Sequence, residues 1–267
     1  GAYLARHPGI DKVAFTGSTE VGYDIMRNCH EKNLKRVTLE LGGKSPNIIT
    51  KNANFEKSVA QACMSLFFNA GQCCIAGSRT YVHASIYDRF VEEAARQAKA
   101  IKQGHSLDAN TDQGPLVSQE QMEKVLSYVE SGKKSATLVA GSGRHGNKGW
   151  FVNPTVFADV KDDHLIAQEE IFGPVQSILK FEDNEEVISR ANASNYGLGA
   201  GVMTESLSEA NYFAKNLKVG TVYINCYNKF STTTPFGGFK DSGIGRELGE
   251  EGLNNYLETK TVIENLD

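Results

Sequence analysis

Short apolar runs alternate with helix-length segments along most of the chain. Residues 13–15, 36–41 and 175–181 are short and mostly apolar, as buried strands are. Residues 55–69 have apolar positions three or four apart, which is the spacing of one helix face. Alternating strands and helices of this kind predict an α/β fold, in which helices cover a sheet.

The same pattern predicts the remaining elements. Further helices are expected at residues 21–26, 86–101, 118–132, 185–192 and 208–217. Further strands are expected at residues 46–50, 79–82, 155–157, 199–203, 221–225 and 256–263. The stretch 141–149 is rich in glycine, serine and asparagine and indicates an exposed turn.

The first strand, turn and helix stand alone at the start of the chain. A parallel strand needs neighbours, because both of its faces are normally buried. We therefore expect residues 1–41 to be the end of a domain whose beginning is absent, and the chain to be a fragment.

Composition argues against several classes of function. The 267 residues include 28 Lys and Arg against 32 Asp and Glu, a formal charge of −4. A nucleic-acid partner is not expected, since binding to a phosphate backbone normally needs a basic excess. No apolar run reaches about 18 residues, so a membrane span is not expected either. With 40% hydrophobic residues, the chain has the composition of a soluble globular protein.

The five cysteines are Cys29, Cys63, Cys73, Cys74 and Cys226. An odd number at irregular spacing does not suggest a disulfide framework, so a reducing compartment is expected. The chain has no CxxC pair, no HExxH and no Cys/His cluster, and no metal site is expected.

Two side chains are candidates for chemistry. Cys74 follows Gly71, and a tight turn past a helix end can expose a nucleophilic thiol to a cleft. By residue type alone, burial as a small apolar group is the favoured alternative. Glu40 ends a mostly apolar strand, where apolar surroundings raise a carboxyl pKa towards the range of a general base. A solvated glutamate at a strand end is the alternative there.

Two further segments remain ambiguous from their residues alone. Residues 17–22 follow a strand and open a helix, where free N–H groups can bind a phosphate, although a plain turn is more common. Glu169 and Glu170 are adjacent. Because neighbouring side chains rarely face one substrate atom, a solvated charge pair is the alternative to an acid–base pair.

Five segments occur along the chain in a characteristic order. They are Phe-Thr-Gly-Ser-Thr-Glu-Val-Gly at 15–22, Leu-Glu-Leu-Gly-Gly-Lys at 39–44, Gly-Gln-Cys-Cys at 71–74, Gln-Glu-Glu-Ile-Phe-Gly-Pro at 168–174 and Pro-Phe-Gly-Gly at 235–238. Together they resemble the NAD(P)-dependent aldehyde dehydrogenase superfamily, most closely its tetrameric cytosolic and mitochondrial class. Each motif alone is weak, but the ordered set is specific. The whole chain is similar to about the C-terminal half of such an enzyme.

The resemblance implies that the protein oxidises an aldehyde to a carboxylic acid through a cysteine thiohemiacetal and thioester. Cys74 would be the nucleophile, and Glu40 would be the base that activates the hydrolytic water. The cofactor, NAD with NADP not excluded, would contact Gly17, Ser18, Gly22, Leu41, Glu170 and Phe172. The aldehyde pocket would include Phe68, Cys73, Ile75 and Phe230.

The resemblance also implies a domain plan, an aldehyde dehydrogenase-like catalytic domain with the tail end of a Rossmann-like dinucleotide-binding domain. Residues 1–41 would be the last part of the NAD-binding domain, and residues 42–242 the catalytic domain that carries the thiol. Residues 243–267 would be a return segment with an oligomerisation strand. A homotetramer in the cytoplasm is expected, with the mitochondrial matrix not excluded.

Three alternatives remain open from the sequence. The chain could be a silent structural relative of the lens crystallin type, although the presence of both Glu40 and Cys74 favours an enzyme. It could be inactive without an N-terminal half. It could also be a cysteine hydrolase that pairs Cys74 with a histidine, but His83, His105, His145 and His164 show no triad-like spacing and are expected at the surface or in satisfied core positions.

Overall fold

The computed structural model describes residues 1–267, which form helices and strands in alternation. The strands are β1 Lys12–Thr16, β2 Arg36–Glu40, β3 Pro46–Ile49, β4 Arg79–His83, β5 Thr137–Ala140, β6 Thr155–Ala158, β7 Val175–Phe181, β8 Tyr196–Gly197, β9 Gly199–Met203, β10 Thr221–Ile224, β11 Phe239–Lys240 and β12 Gly243–Ile244. The α-helices are α1 Ala2–Arg6, α2 Thr19–Asn28, α3 Phe55–Phe67, α4 Tyr87–Ala100, α5 Gln119–Ser135, α6 Leu165–Gln168, α7 Asn184–Asn192, α8 Leu207–Asn216 and α9 Gly249–Asn254.

A seven-stranded sheet forms the centre of the molecule, in the order β10-β9-β3-β4-β7-β6-β5. All neighbouring strands are parallel except β5 and β6. Consecutive residues of one strand enter different apolar cores; in β3, for example, Ile48 joins one core and Ile49 the other. Both faces of the sheet are therefore covered, as the predicted α/β architecture requires.

A smaller three-stranded sheet has the order β1-β2-β12. β1 runs parallel to β2, so the first strand of the chain is not isolated. β12 runs antiparallel to β2 and places Gly243 opposite Glu40. Ser242, just before β12, is fully buried, and its hydroxyl donates to the Gly42 carbonyl at 2.7 Å. The end of the chain thus holds the end of β2 in place.

Most of the predicted helices and strands are present, and the differences have local causes. The helix expected at 55–69 ends at Phe67, because Asn69 and Ala70 adopt left-handed backbone angles, φ 51° and φ 55°. The pattern missed seven short elements of two to six residues each, namely α1, α6, α9, β5, β8, β11 and β12. The strand expected at 256–263 does not form in this single chain; the segment is exposed and has no strand beside it.

None of the helices has both the length and the apolar character that a transmembrane helix requires.

Candidate active site

Glu40 is the last residue of β2 and is 8% exposed. Neither of its carboxylate oxygens has a hydrogen-bond partner. Burial raises the pKa of Glu40 to about 7; the nearby Glu247 charge raises it as well, and Arg246 acts in the opposite direction. A carboxyl group that titrates near neutral pH and has both oxygens free can accept a proton from water.

The cysteine loop follows α3 through an unusual turn. Asn69, Ala70 and Gly71 all have positive φ angles, 51°, 55° and 72°. A Cβ atom on Gly71 would lie 2.1 Å from the carbonyl oxygen of Gly173, so only glycine allows this close contact. The turn therefore fixes the start of the loop against the segment that follows Glu170 and Phe172.

Cys74 lies against the two glycines that follow Glu40. A Cβ atom on Gly43 would be 2.5 Å from the Cys74 carbonyl oxygen, so the two backbones are in direct contact. The carboxylates whose charges act on the Cys74 thiol are those of Glu40 and Glu170. The thiol is half-buried, and the backbone N–H of Cys74 makes no hydrogen bond within the chain. Cys74 thus has a free backbone donor beside its sulfur.

The thiols of Cys73 and Cys74 ionise as a pair. A hydrogen bond from Cys74 lowers the pKa of Cys73 to about 7, although burial opposes the shift. The same hydrogen bond, burial and the charges of Cys73, Glu40 and Glu170 raise the pKa of Cys74. The pair therefore loses a first proton readily and a second one with difficulty.

Glu170 is held by the same two glycines. The Gly43 N–H donates to its Oε1 at 3.1 Å, and a Cβ atom on Gly42 would be 2.2 Å from its Oε2. Burial raises the pKa of Glu170, while the Gly43 N–H, Lys124 and Lys44 lower it. Gly43, Cys73, Glu170 and Phe172 line one small cavity. A larger groove near Phe55 includes none of these residues.

Glu169 faces another partner. Its Oε2 accepts a 2.6 Å hydrogen bond from Tyr128. The two adjacent carboxylates therefore point to different surroundings and do not form an acid–base pair.

The turn at residues 17–22 packs on the same strand end. Gly17 N–H donates to the Glu40 carbonyl at 3.1 Å, and a Cβ atom on Gly22 would be 2.7 Å from the Leu41 side chain. The Ser18 hydroxyl caps α2 by accepting from the Val21 N–H at 3.3 Å. The predicted cofactor residues Gly17, Gly22 and Leu41 are thus neighbours of Glu40.

The predicted pocket residues separate into two groups. Phe68 and Phe230 are each 57% exposed, and Cys73 is half-buried, so all three can line a surface. Ile75 is completely buried beneath the loop, against Leu198. Its place in the substrate pocket stays a prediction, and in this chain its side chain packs into a small core.

Two charged residues near the site, Lys44 and Glu247, had no role in the sequence interpretation. Lys44 is 1% exposed, and its ammonium group has no hydrogen-bond partner; burial and Arg79 lower its pKa to about 7. The charge of Glu247, about 200 residues later in the sequence, raises the pKa of Glu40. Lys44 belongs to the Glu-Leu-Gly-Gly-Lys motif, which was its only signal. Glu247 had none, because the contact depends on the pairing of β12 with β2.

Comparisons with known proteins show the family of the chain. The model of the aldehyde dehydrogenase family matches residues 1–262. The chain is 55% identical over 263 residues to a mitochondrial aldehyde dehydrogenase of Mesocricetus auratus, covering 98% of this chain and 53% of that protein. It is 54% identical over 264 residues to a mitochondrial benzaldehyde dehydrogenase of Antirrhinum majus, covering 98% and 49%.

Solved structures give the same result. An NAD+ complex of aldehyde dehydrogenase from Bacillus cereus is 51% identical, with a TM-score of 0.98 over 100% of this chain and 54% of that one. A betaine aldehyde dehydrogenase from Staphylococcus aureus, also with NAD+, is 43% identical, with a TM-score of 0.95 over 97% and 52%. The chain spans about half the length of the relatives it matches. The sequence motifs, the fold and these similarities agree that the chain belongs to the aldehyde dehydrogenase family.

Proposed function

We propose that the protein oxidises an aldehyde to a carboxylic acid with NAD+ or NADP+, with Cys74 as nucleophile and Glu40 as general base. The observation that carries the proposal is that Gly42 and Gly43, which follow Glu40 and Leu41 in the chain, contact the Cys74 backbone and the Glu170 carboxylate. Three motifs that are separate in sequence thus form one site.

A thiolate of the Cys73 and Cys74 pair supplies the nucleophile. We assign the attack to Cys74, because the resemblance of Gly-Gln-Cys-Cys to the family's nucleophile motif implies the second cysteine. The free backbone N–H of Cys74 can donate to the oxygen that becomes negative when sulfur bonds to the aldehyde carbon. A donor of this kind typically contributes about 3–4 kcal/mol to stabilising the tetrahedral adduct. The product of this step is a thiohemiacetal on Cys74.

The residues around Glu170 fit a nicotinamide cofactor. The Glu170 carboxylate can accept hydrogen bonds from ribose hydroxyls, and glycine at position 42 leaves no side chain in its way. The turn at 17–22 precedes the ten-residue helix α2, whose N-terminus suits a phosphate. When bound, the cofactor supplies the hydride acceptor that turns the thiohemiacetal into a thioester.

Glu40 completes the reaction by hydrolysis. Its carboxylate takes a proton from water, the oxygen attacks the thioester carbon, and the carbon–sulfur bond breaks to release the acid and the Cys74 thiolate. A pKa of about 7 leaves much of the group ionised at neutral pH and still basic enough to accept the proton.

The exposed faces of Phe68 and Phe230 favour an aldehyde with an apolar side chain. Phe230 packs edge-on against Phe236 at 5.5 Å between ring centroids, which gives this part of the surface a fixed shape. A charged aldehyde would find no opposite charge among these rings.

We further propose a homotetramer in a reducing compartment, the cytoplasm in the first instance. The large apolar residues of the last segment, among them Leu257, Val262 and Ile263, are exposed in the single chain and would be covered by a neighbouring subunit. The similar proteins named above include mitochondrial enzymes, so the mitochondrial matrix is the second candidate.

The structure does not favour a hydrolase that pairs Cys74 with a histidine. The histidine rings of His83 and His164 have local partners, a neighbouring serine and a backbone N–H, and no histidine acts on the ionisation of Cys73 or Cys74. A silent structural protein remains the other alternative.

Turnover by the protein in its natural length separates these functions. We expect formation of reduced cofactor with an apolar aldehyde, lost in Cys74→Ala and retained in the matched Cys29→Ala, whose thiol is buried elsewhere. Absence of turnover in the intact protein would favour the structural role. A histidine substitution that abolishes ester cleavage, while Glu40→Gln does not, would favour the hydrolase.

A further inference from the structure

Tyr223 lies at the end of the sheet in β10 and is 4% exposed. Its hydroxyl group has no hydrogen-bond partner in the chain. An unsatisfied hydroxyl that is removed from water costs free energy, and phenylalanine would avoid that cost in the same volume. We therefore expect this hydroxyl to form a hydrogen bond with another group.

The neighbours of Tyr223 indicate what that group is. Tyr223 belongs to a small core with Ile75, and Cys73, Cys74 and Cys226 pack against this core. Burial, followed by the charges of these three thiols, raises the pKa of the Tyr223 hydroxyl to about 12.

Tyr227 fixes the position of the Tyr223 ring. The two rings stack with centroids 5.0 Å apart and an interplanar angle of 31°. The Tyr227 hydroxyl donates to the carbonyl of Ile75, the residue after Cys74, at 2.8 Å. The ring of Tyr223 is therefore held on the same loop that carries the two vicinal thiols.

We propose that Tyr223 is a positioning residue for the thiol site, whose hydroxyl donates a hydrogen bond to the thiolate that forms there, directly or through a water molecule. A donor to an ionised acceptor stabilises the charged form more than the neutral one. Tyr223 thus makes the thiolate easier to form. The inference concerns thiol ionisation alone and does not depend on aldehyde oxidation.

Alkylation of the cysteines tests this directly. Iodoacetamide rates are measured for each cysteine by peptide mass spectrometry between about pH 5 and pH 10, which brackets ordinary thiol ionisation. Cys29 and Cys63 are buried away from the loop and serve as internal references. Tyr87→Phe is the matched control, since Tyr87 is equally buried but its hydroxyl contacts Asp159.

In Tyr223→Phe, the midpoint of the most reactive loop thiol is expected to rise by about one pH unit, which slows alkylation about tenfold below the midpoint. Replacement of Tyr223 by 3-fluorotyrosine keeps the ring and makes the hydroxyl a stronger donor, so the midpoint is expected to fall. This second variant keeps the test valid if Tyr223→Phe does not fold.

An unchanged midpoint in folded Tyr223→Phe, or in the 3-fluorotyrosine protein, would overturn the proposal. A rise of equal size in Tyr87→Phe would overturn it as well, because the effect would then be a general consequence of removing a buried hydroxyl.

Discussion

Glu40 shows how one buried residue couples function to stability. Its carboxyl group has no hydrogen-bond partner, so the folded chain disfavours the ionised form. A buried carboxyl group without a partner lowers the stability of the folded chain at pH values where it is ionised. Its ability to accept a proton is a functional reason for its presence at this position.

The pH dependence of unfolding follows from this shift. Between the unfolded pKa of 4.5 and the folded pKa of about 7, the folded state binds more protons than the unfolded state. The stability of the natural chain therefore falls as pH rises through that window. Glu40→Gln lacks this titrating group and therefore does not lose this stability. The free energy of unfolding of the variant minus that of the natural chain is expected to increase by about 2 kcal/mol from the low-pH to the high-pH end of the window.

Urea unfolding at about pH 5 and pH 8 measures the difference. Glu56→Gln is a suitable control, because Glu56 lies on the surface of α3. Parallel pH curves for Glu40→Gln and the natural chain would contradict the raised pKa.

At the scale of elements, the turn after α3 determines where the thiols lie. Three consecutive residues with positive φ carry the chain from the helix into the loop, and Gly71 contacts the Gly173 carbonyl. Two of the three are not glycine, and backbone of this kind costs of order 1 kcal/mol for each such residue. The contacts of the loop with residues 42–43 and 173 compensate for that cost.

Gly71→Ala is expected to disturb this turn. Its Cβ atom would meet the Gly173 carbonyl at 2.1 Å in a left-handed conformation, so the loop must shift. We expect a loss of about 1–3 kcal/mol in stability and a slower alkylation of Cys73 and Cys74. Gly114→Ala, whose Cβ atom would have no neighbour within 4 Å, is the control. Equal stability of the two variants would show that the turn tolerates a side chain.

The sequence predicted elements well where a pattern is local. The apolar spacing in α3 and the short apolar strands of the large sheet depend on neighbouring residues, and these predictions are confirmed. The burial of Ile75 could not be predicted from a local pattern, because it depends on Tyr223 and Tyr227, about 150 residues away. The candidate strand at 256–263 has the right alternation, but a strand also needs a partner edge, which this chain does not offer it.

At the scale of the whole molecule, two sheets and three distant segments meet at one point. Glu40 ends the small sheet, the cysteine loop connects two strands of the large one, and Glu170 lies before β7. The motifs predicted the site residues, but only the fold shows that Gly42 and Gly43 contact both Glu170 and the Cys74 backbone. The roles of Cys74, Glu40 and Glu170 stay predictions until they are measured.

The most direct measurement is a trapped intermediate. Glu40→Gln protein in its natural length is mixed with an apolar aldehyde and NAD+, quenched in acid, and mapped by peptide mass spectrometry. Without the base that activates water, the acyl group is expected to accumulate as a thioester on Cys74, together with reduced cofactor. Reduced cofactor without any cysteine adduct, or an adduct confined to Cys73 or Cys226, would contradict the assignment of Cys74 and Glu40.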